Sequence, residues 1–368
     1  MKITIVAGAR PNFIKIAPII KAIQEKKNEG YSISFRLVHT GQHYDKNLSD
    51  TFFKELRIPN PDANLDVKSG SQAVQTATIM MAFEQELLQN PCDLVLVVGD
   101  VNSTMACALV AKKLHVKVAH VEAGIRSGDM TMPEEINRIV TDSISDYFFT
   151  TSTWAGDNLI KYGGDVSKIY FVGNVMIDTL CQNKDRFEKP FFWDDYQLKQ
   201  SNYIVLTLHR PSNVDEELSL QNLLIGINDL AGDKKVLFPV HPRTKAVLEN
   251  SNLNFENIIY VEPQGYLSFL YLIKNAFAVI TDSGGISEET TVLGIPCFTL
   301  RENTERPETI TVGTNTLVGS SIENLKVAYN LFIQNGKRKS SIPELWDGKA
   351  SERIITILLT IFNQQLLK

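Results

Sequence analysis

Short runs of Val, Ile and Leu alternate with longer helical patterns along most of the chain. Runs that are apolar on both faces predict parallel strands, because only a sheet covered by helices shields both faces from water. In the first half we predict strands at Ile3–Ala7, Ser32–Val38, Asp93–Val98, Val116–Val121, Tyr147–Thr150 and Ile169–Val172. Helical patterns between them include Pro11–Lys26, Val101–Leu114 and Glu134–Ser145. The first half is therefore predicted to be a doubly wound α/β domain.

The alternation breaks over Asn183–Ser201, a polar and aromatic stretch, and then starts again. Further strands are predicted at Tyr203–Thr207, Val236–Val240, Ile258–Val261, Phe277–Thr281 and Cys297–Leu300, and helices at Glu216–Leu230, Thr244–Asn250, Tyr266–Lys274, Ser283–Leu293 and Lys349–Gln365. A chain of 368 residues is long enough for two such domains. We predict a Rossmann-like domain over residues 1–182, a second over 183–348, and a final helix over 349–368 that packs back on the first. Two doubly wound sheets facing one another would bind ligands in the cleft at their strand C-termini.

Composition narrows the class of protein. Hydrophobic residues make up 43% of the chain and charged residues 21%, as in globular proteins, and the net charge of -5 argues against nucleic-acid binding. No apolar run has the length of a membrane span, and the first residues lead straight into a strand rather than a signal peptide. We expect a cytoplasmic protein without a membrane partner. Its four widely spaced cysteines are interpreted as buried free thiols; they are Cys92, Cys107, Cys181 and Cys297.

Two strand-to-helix junctions have residues suited to anions. Ser283-Gly284-Gly285 follows a predicted strand and begins a predicted helix, where backbone N–H groups can bind phosphate. Glu289, one turn later, could accept hydrogen bonds from ribose hydroxyls. An ordinary N-cap formed by Ser283 or Asp282 explains the first junction about equally well. Arg10 and Lys15 follow the first strand, where exposed charges without a function are the alternative.

Acidic residues follow strands of the first half. Asp100, Glu122 and Glu134 come after predicted strands or at a helix start, and together they could act as general acids and bases on two faces of a sugar ring. Helix capping is the alternative for Asp100, and complementation of the helix dipole for Glu134. Arg126 and Arg138 are available to pair with these acids or with a phosphate.

Histidines and arginines follow two strands of the second half, in His209-Arg210 and in His241-Pro242-Arg243. A metal site is the competing interpretation, because His39 and His43 have a four-residue spacing. They lie in a Thr-Gly-Gln loop without further ligand motifs, so we expect no metal and no cofactor.

The motifs together resemble those of the non-hydrolysing UDP-N-acetylglucosamine 2-epimerases, which share the two-domain fold of GT-B glycosyltransferases. The resemblance covers nearly the whole chain and is carried by GARPNFIKIAPI, TGQHYD, VVGDVNST, HVEAGIRS, MPEEINR, GNVMID, LHRPSNVD, PVHPR, TDSGGISEE and ENTERPET. It implies a GT-B-type architecture, a UDP-sugar substrate bound in the second domain, and most catalytic acids in the first. We also expect a homodimer.

Residue roles implied by the resemblance are carried over only to matching positions. Asp100, Glu122, Glu134 and His209 match the catalytic residues of the family. Positions that meet the nucleotide-sugar are matched by Arg10, Lys15, Arg138, Phe269, Ser283, Gly284, Gly285, Glu289 and Arg306. In the family's reaction UDP is eliminated across C1–C2 to give a 2-acetamidoglucal and then added back, and the proton returns to the opposite face of C2.

The segment Arg126–Met132 is shorter than in family members that need UDP-GlcNAc at a second, activating site, and Asp45 replaces a glutamine of that site. Allosteric activation is therefore in doubt, and a related UDP-linked diacetamido uronic acid or 6-deoxy amino sugar is a second candidate substrate. A GT-B glycosyltransferase, a hydrolysing epimerase and a catalytically silent UDP-sugar sensor are the remaining alternatives.

Overall fold

A computed structural model of the chain describes residues 1–41, 52–68, 70–210, 213, 217–240 and 255–366. The chain divides into two compact units. The first comprises Met1–Gln182 together with Glu344–Lys368, and the second comprises Asn183–Pro343.

The first unit is built on a parallel seven-stranded sheet with the order β3-β2-β1-β4-β5-β6-β7. Its strands are β1 Lys2–Ala7, β2 Ser34–His39, β3 Ala63–Asn64, β4 Leu94–Val98, β5 Lys117–Val121, β6 Tyr147–Thr150 and β7 Ile169–Phe171. Its helices are α1 Arg10–Asn28, α2 Gln72–Gln89, α3 Asn102–Lys113, α4 Pro133–Ile144, α5 Thr153–Lys161 and α6 Val175–Asn183, the last ending at the unit boundary. The strand order reverses between β1 and β4, and side chains that follow these strands lie where doubly wound sheets bind ligands.

Burial explains why these segments form a parallel sheet. Every residue of β4 is buried, because helices cover both faces of the central strand. The helix α2 contributes Ile79, Phe83 and Leu87 to the same apolar core, at the four-residue spacing of one helix face.

The second unit has the same design, with a six-stranded parallel sheet of order β10-β9-β8-β11-β12-β13. Its strands are β8 Tyr203–Thr207, β9 Lys235–Pro239, β10 Ile258–Val261, β11 Ala278–Thr281, β12 Cys297–Thr299 and β13 Asn315–Leu317. Its helices are α7 Glu217–Ala231, α8 Tyr266–Asn275, α9 Gly284–Leu293, α10 Pro307–Thr311 and α11 Ile322–Asn335. Here the order reverses between β8 and β11, the strands that precede His209 and Ser283.

The last helix, α12 at Ala350–Leu366, belongs to the first unit and packs on α1. Its start is held by the buried carboxylate of Asp178, which accepts hydrogen bonds from the backbone N–H groups of Ala350 at 3.0 Å and Ser351 at 2.6 Å. Two donors that helix geometry leaves unpaired are thereby satisfied.

The two doubly wound α/β sheets predicted from the alternation are confirmed. The sequence pattern missed the strands β3 and β13 and the helices α5, α6, α10 and α11. The prediction of four buried thiols is wrong for Cys181, which is exposed, and for Cys92, which is half-buried. Cys181 is exposed because it lies near the end of α6, on a turn that faces solvent. The predicted helix over residues 244–250 and the motif residues His43, Asp45, His241 and Arg243 fall outside the described residues. Within the described ranges, no helix has both the length and the apolar character needed to span a bilayer.

Candidate active site

In the first unit, Lys15 and Glu122 form a buried ion pair. Lys15 Nζ donates to Glu122 Oε2 at 2.5 Å, and the side chains are 9% and 2% exposed. Lys15 lies on α1, just after β1, and Glu122 follows β5, so the strand ends bring together residues that are 107 positions apart. A carboxylate so deeply buried needs a compensating cation, and Lys15 supplies it.

Glu122 also has an unusual backbone conformation. Its φ is +69°, in the left-handed region that non-glycine residues seldom adopt. Its N–H donates to the carbonyl oxygen of Phe149 at 3.0 Å, which holds the turn against the end of β6. Strain of this kind costs on the order of 1–3 kcal/mol and concentrates at functional sites. The left-handed turn is therefore a sign of function that burial alone does not provide.

Gly99 places the Lys15–Glu122 pair beside Asp100. A Cβ atom at Gly99 would lie 3.1 Å from Lys15 Nζ and 3.7 Å from Glu122 Oε2, and the φ of Gly99 is +71°. A side chain at this position would crowd the ammonium group, and an L-residue would be strained. Glycine therefore lets the end of β4 approach the ion pair closely.

Asp100, which follows β4, forms an ion pair with Arg138 of α4. Arg138 Nη2 donates to Asp100 Oδ2 at 2.5 Å, and the Asp100 side chain stays 26% exposed. Arg138 Nη1 donates to Glu135 at 2.9 Å. Arg138, predicted to meet the nucleotide-sugar, is thus held between two carboxylates.

The two adjacent glutamates at the start of α4 lie in different environments. Glu135 is buried, and its carboxylate accepts hydrogen bonds from the N–H groups of Ser127 and Gly128. Glu134 is half-buried in the first helical turn. The predicted catalytic position therefore belongs to the more accessible of the two carboxylates, while Glu135 holds the preceding loop.

In the second unit, His209 and Asp282 form a histidine–carboxylate pair. His209 Nδ1 lies 2.7 Å from Asp282 Oδ1, and the His209 side chain is 58% exposed whereas that of Asp282 is fully buried. Because Nδ1 faces the carboxylate, Nε2 is the ring nitrogen left to meet a ligand.

Asp282 is an anchor rather than a helix cap. Besides His209 Nδ1, its carboxylate accepts hydrogen bonds from the N–H groups of His209 and Arg210 and from Asn213 Nδ2. Burial on its own raises the pKa of Asp282, but the hydrogen bonds and the charge of His209 outweigh burial and hold that pKa below its ordinary value. The carboxylate is therefore ionised and ties the loop after β8 to the end of β11.

The helix start at Ser283, Gly284 and Gly285 is accessible. Ser283 is the N-cap residue of α9, yet its side chain makes no capping hydrogen bond, and all three residues are half-buried. A Cβ atom at Gly284 would lie 3.3 Å from Arg301 Nη1, which favours glycine there. Arg301 itself is buried and paired with Glu305 at 2.8 Å. The N–H groups of this helix start, with the positive end of the helix dipole, suit an anionic ligand.

Glu289 lies one turn further along α9 and is buried. Burial raises its pKa to about 8, which the hydrogen bond with Tyr266 partly opposes and the charge of Glu288 reinforces. Phe269, predicted to meet the nucleotide-sugar, is half-buried on α8, the helix that also carries Tyr266. Glu289 and Phe269 thus belong to two adjacent helices of the unit.

The structure describes the side chain of Arg306 but not that of Arg10, the other arginine predicted to meet the substrate. Arg306 Nε donates to the carboxylate of Glu288, so the guanidinium also serves to compensate a buried acid. Arg10 begins α1, and its side chain lies outside the described part of the chain. In the described ranges, no group of three His, Cys, Asp or Glu side chains is arranged to hold a metal ion.

Sequence reasoning missed the groups that support the site. The sequence suggests Asp282 only as an alternative N-cap beside Ser283, and it indicates no supporting role for Glu135 or Asp142. A detectable signal existed for α4, because Glu135, Arg138 and Asp142 recur at the spacing of one helix face and all three are buried. Charged residues on the core-facing side of a helix indicate a buried ionic network.

Comparison with known proteins gives a consistent result. The family model described as UDP-N-acetylglucosamine 2-epimerase matches residues 24–359. The chain is 45% identical to the UDP-N-acetylglucosamine 2-epimerase of Methanocaldococcus jannaschii, over 97% of this chain and 99% of that protein. It is 40% identical to the UDP-2,3-diacetamido-2,3-dideoxy-D-glucuronate 2-epimerase of Pseudomonas aeruginosa, with the same coverage of 97% and 99%. The crystal structure of the M. jannaschii enzyme with UDP-GlcNAc and UDP superposes with a TM-score of 0.87, at 44% identity and coverages of 97% and 99%.

Proposed function

Because the chain belongs to the UDP-N-acetylglucosamine 2-epimerase family, we propose that it interconverts UDP-GlcNAc and UDP-ManNAc without net hydrolysis, for the synthesis of cell-surface polysaccharide precursors. The observation that carries this proposal is the buried ion pair of Lys15 and Glu122 beside the partly exposed carboxylate of Asp100. The backbone of Glu122 is in the left-handed region. A site that only binds a UDP-sugar has no need of two acids held in different environments at adjacent strand ends.

The chemistry explains why several acids are needed. The C2 hydrogen of the sugar has no adjacent carbonyl, so its direct removal and return would be very slow. In the proposed reaction a base takes the C2 proton, the C1–O bond breaks, and UDP leaves with the bonding electron pair, which produces a 2-acetamidoglucal. The diphosphate then attacks C1 while an acid delivers a proton to the opposite face of C2.

The first unit would provide the proton-transfer groups. We assign Asp100, Glu122 and Glu134 to the base and acid tasks, because they offer carboxylates of differing exposure at the ends of β4 and β5 and at the start of α4. Lys15 compensates the charge of Glu122, and Arg138 orients Asp100.

The second unit would hold the leaving group. The half-buried helix start at Ser283, Gly284 and Gly285 would bind the diphosphate through backbone N–H groups, and His209 would donate to it from Nε2. Glu289 would accept hydrogen bonds from the ribose, and Phe269 would contact uracil. Arg10 and Arg306 are proposed as additional substrate contacts.

Incubation with UDP-GlcNAc in deuterated water tests the proposal. We expect deuterium at C2 of both UDP-GlcNAc and UDP-ManNAc, with little free sugar or UDP, because the C2 proton exchanges with solvent during each elimination and addition. Release of UDP only when an acceptor is added, without C2 exchange, would show a glycosyltransferase. Accumulation of free N-acetylmannosamine would show a hydrolysing epimerase.

A related UDP-amino sugar is the second candidate substrate. The 40% identity to the diacetamido-glucuronate 2-epimerase favours it, because that value is close to the 45% found for the UDP-GlcNAc enzyme. The two candidates are separated by measuring kcat/KM for UDP-GlcNAc and for UDP-2,3-diacetamido-2,3-dideoxy-glucuronate under the same conditions. The larger value identifies the substrate.

We further propose that the protein forms a homodimer through α2 and acts in the cytoplasm, where its free thiols stay reduced. One side of α2 exposes Val74, Met81 and Leu88, each more than half accessible, at the seven-residue spacing typical of helix–helix contacts. Sedimentation of the wild type and of Met81→Glu tests the interface. A wild-type monomer, or a Met81→Glu dimer as stable as the wild type, would contradict it.

A further inference from the structure

A buried cluster of His120, Asp142 and Arg126 adjoins the strand ends that carry the proposed catalytic acids, and the proposed mechanism uses none of its members. His120 is the penultimate residue of β5, Asp142 lies on α4, and Arg126 is in the loop between them. All three are buried, and the His120 side chain has no exposed surface at all. Buried ionisable groups are costly unless they have a structural or chemical role.

Both ring nitrogens of His120 face acceptors. Nε2 lies 2.9 Å from the carbonyl oxygen of Gly99, and Nδ1 lies 2.7 Å from Asp142 Oδ1. The other carboxylate oxygen of Asp142 contacts Arg126 Nη1 at 2.6 Å and accepts from the N–H of Gly124 at 3.1 Å. His120 therefore connects the residue before Asp100 to a carboxylate that also holds the loop after Glu122.

These contacts identify the protonation state of the ring. A carbonyl oxygen can only accept a hydrogen bond. The carboxylate of Asp142 lies 2.6 Å from the guanidinium of Arg126 and accepts a hydrogen bond from the N–H of Gly124, so these neighbours favour its ionised form independently of His120. An ionised carboxylate also only accepts. An imidazole that must donate from both nitrogens is an imidazolium.

The backbone at these strand ends needs such support. The ladder of β4 and β5 pairs Val97 with His120 and Val98 with Val121, and beyond it Gly99 and Glu122 both have left-handed φ values, +71° and +69°. One backbone hydrogen bond, from the N–H of Gly99 to the carbonyl oxygen of Val121 at 3.0 Å, still joins the two turns at their start. The carbonyl oxygen of Gly99 lies beyond that bond, and His120 Nε2 is a side-chain donor that reaches it.

We propose that His120 is a positioning residue, which as an imidazolium fixes the spacing between the turns that present Asp100 and Glu122 to the sugar. This inference rests on the proposed epimerase function, because the spacing matters only if both carboxylates act on one substrate. His120 touches no reacting atom, so its effect is indirect. A displacement of catalytic groups by about 1 Å reduces turnover about a hundredfold.

The test compares two variants that each keep half of the contacts. His120→Gln retains a donor near the position of Nε2, toward Gly99, and His120→Asn retains one near Nδ1, toward Asp142. We expect kcat for C2 exchange to fall about a hundredfold in both, because neither amide bridges the two acceptors. KM and UDP affinity should stay close to wild type, since the proposed contacts to the diphosphate from Ser283–Gly285 and His209, to the ribose and to uracil lie in the second unit. His115→Asn, at an exposed site of the same unit, is the matched control and should be unaffected.

A second readout separates positioning from a general loss of structure. Misplaced acids should slow protonation of the 2-acetamidoglucal intermediate and so lengthen its lifetime in the site. The variants should therefore release more free UDP and 2-acetamidoglucal per exchange event than the wild type. Wild-type kcat in both His120 variants would overturn the inference, as would parallel losses of kcat, UDP affinity and melting temperature. If neither variant folds, Asp142→Asn removes the carboxylate without changing its size and should give the same split.

A measurement without substrate tests the imidazolium state of His120 independently of the proposed function. Nitrogen-15 NMR of the ring should show both nitrogens of His120 protonated, and a spectrum of neutral imidazole would overturn the inference. Absence of C2 exchange in the wild type would refute the epimerase proposal instead, whatever the NMR result.

Discussion

Replacement of Asp282 by Asn tests how the leaving-group side of the site is held. The asparagine side chain would have the same size as the aspartate but only one acceptor oxygen. That oxygen can occupy the position of Asp282 Oδ2, which accepts three hydrogen bonds at 2.9–3.0 Å from the N–H groups of His209 and Arg210 and from Asn213. The amide NH2 then faces His209 Nδ1, which must accept rather than donate. The ring then keeps only the proton on Nε2, and the carboxylate that stabilises a charged ring is lost.

The magnitude follows from the one interaction that is removed. A hydrogen bond between a charged group and its partner contributes about 1.5–3 kcal/mol, and every 1.4 kcal/mol is a factor of about ten. We therefore expect kcat/KM of Asp282→Asn to fall by about ten- to a hundredfold. The fall should appear in kcat rather than in UDP affinity, because the helix start at Ser283–Gly285 remains in place.

Steady-state kinetics of C2 exchange, calorimetric UDP titration and a thermal melt form the assay. Asp233→Asn, at an aspartate whose side chain is 95% exposed in the same unit, is the matched control and should behave as wild type. Unchanged kcat in Asp282→Asn would refute the assignment of Asp282 as the anchor of His209. Loss of UDP binding together with melting would show that the carboxylate mainly supports the fold.

Three further predictions concern other parts of the site. Glu122→Gln should abolish C2 exchange while UDP binding, measured by calorimetry, stays near wild type; loss of binding would show a structural role. Glu289 has a pKa of about 8, and ribose hydroxyls donate better to a carboxylate than to a carboxylic acid. UDP affinity should therefore rise about tenfold from pH 7 to pH 9, a range in which the diphosphate is already ionised. A similar rise of UDP affinity with pH in Glu289→Gln would contradict this. A Cβ atom at Gly124 would lie 2.0 Å from the carbonyl oxygen of Ala155, so Gly124→Ala should cost about 2–4 kcal/mol and lower the melting temperature markedly. Gly128→Ala, also at positive φ but in open space, should cost much less, and equal losses would mean that backbone strain, not the clash, is responsible.

Strand and helix positions were largely predictable, because apolar runs and helical periodicity are local properties of the chain. The strands Tyr147–Thr150, Tyr203–Thr207 and Ile258–Val261 have the predicted bounds, whereas β13 is too short to stand out from its polar neighbours. The exposure of Cys181 could not be predicted for a related reason, since the apolar character of a thiol does not reveal which side of a helix faces solvent.

The residues at strand ends were predictable as a class, but their partners were not. The sequence indicates that Lys15, Glu122 and His209 follow strands, and parallel strands align their carboxyl ends at one edge of a sheet. It does not show that Lys15 turns to Glu122, or that Arg306 compensates Glu288. Such choices depend on side-chain directions and on which buried charge most needs a partner.

The two doubly wound sheets, the family motifs and the strand ends where chemistry is expected all follow from the sequence, because hydrophobic periodicity and strand-end placement are encoded locally. The partners of the buried carboxylates depend on the tertiary structure: Glu122 pairs with Lys15 across 107 positions, and Asp282 pairs with the exposed His209 across 73. These pairs arise because crossover connections bring distant strand ends side by side, with each carboxylate shielded from water. There a carboxylate stays ionised only where the fold has placed a donor or a cation within hydrogen-bond distance.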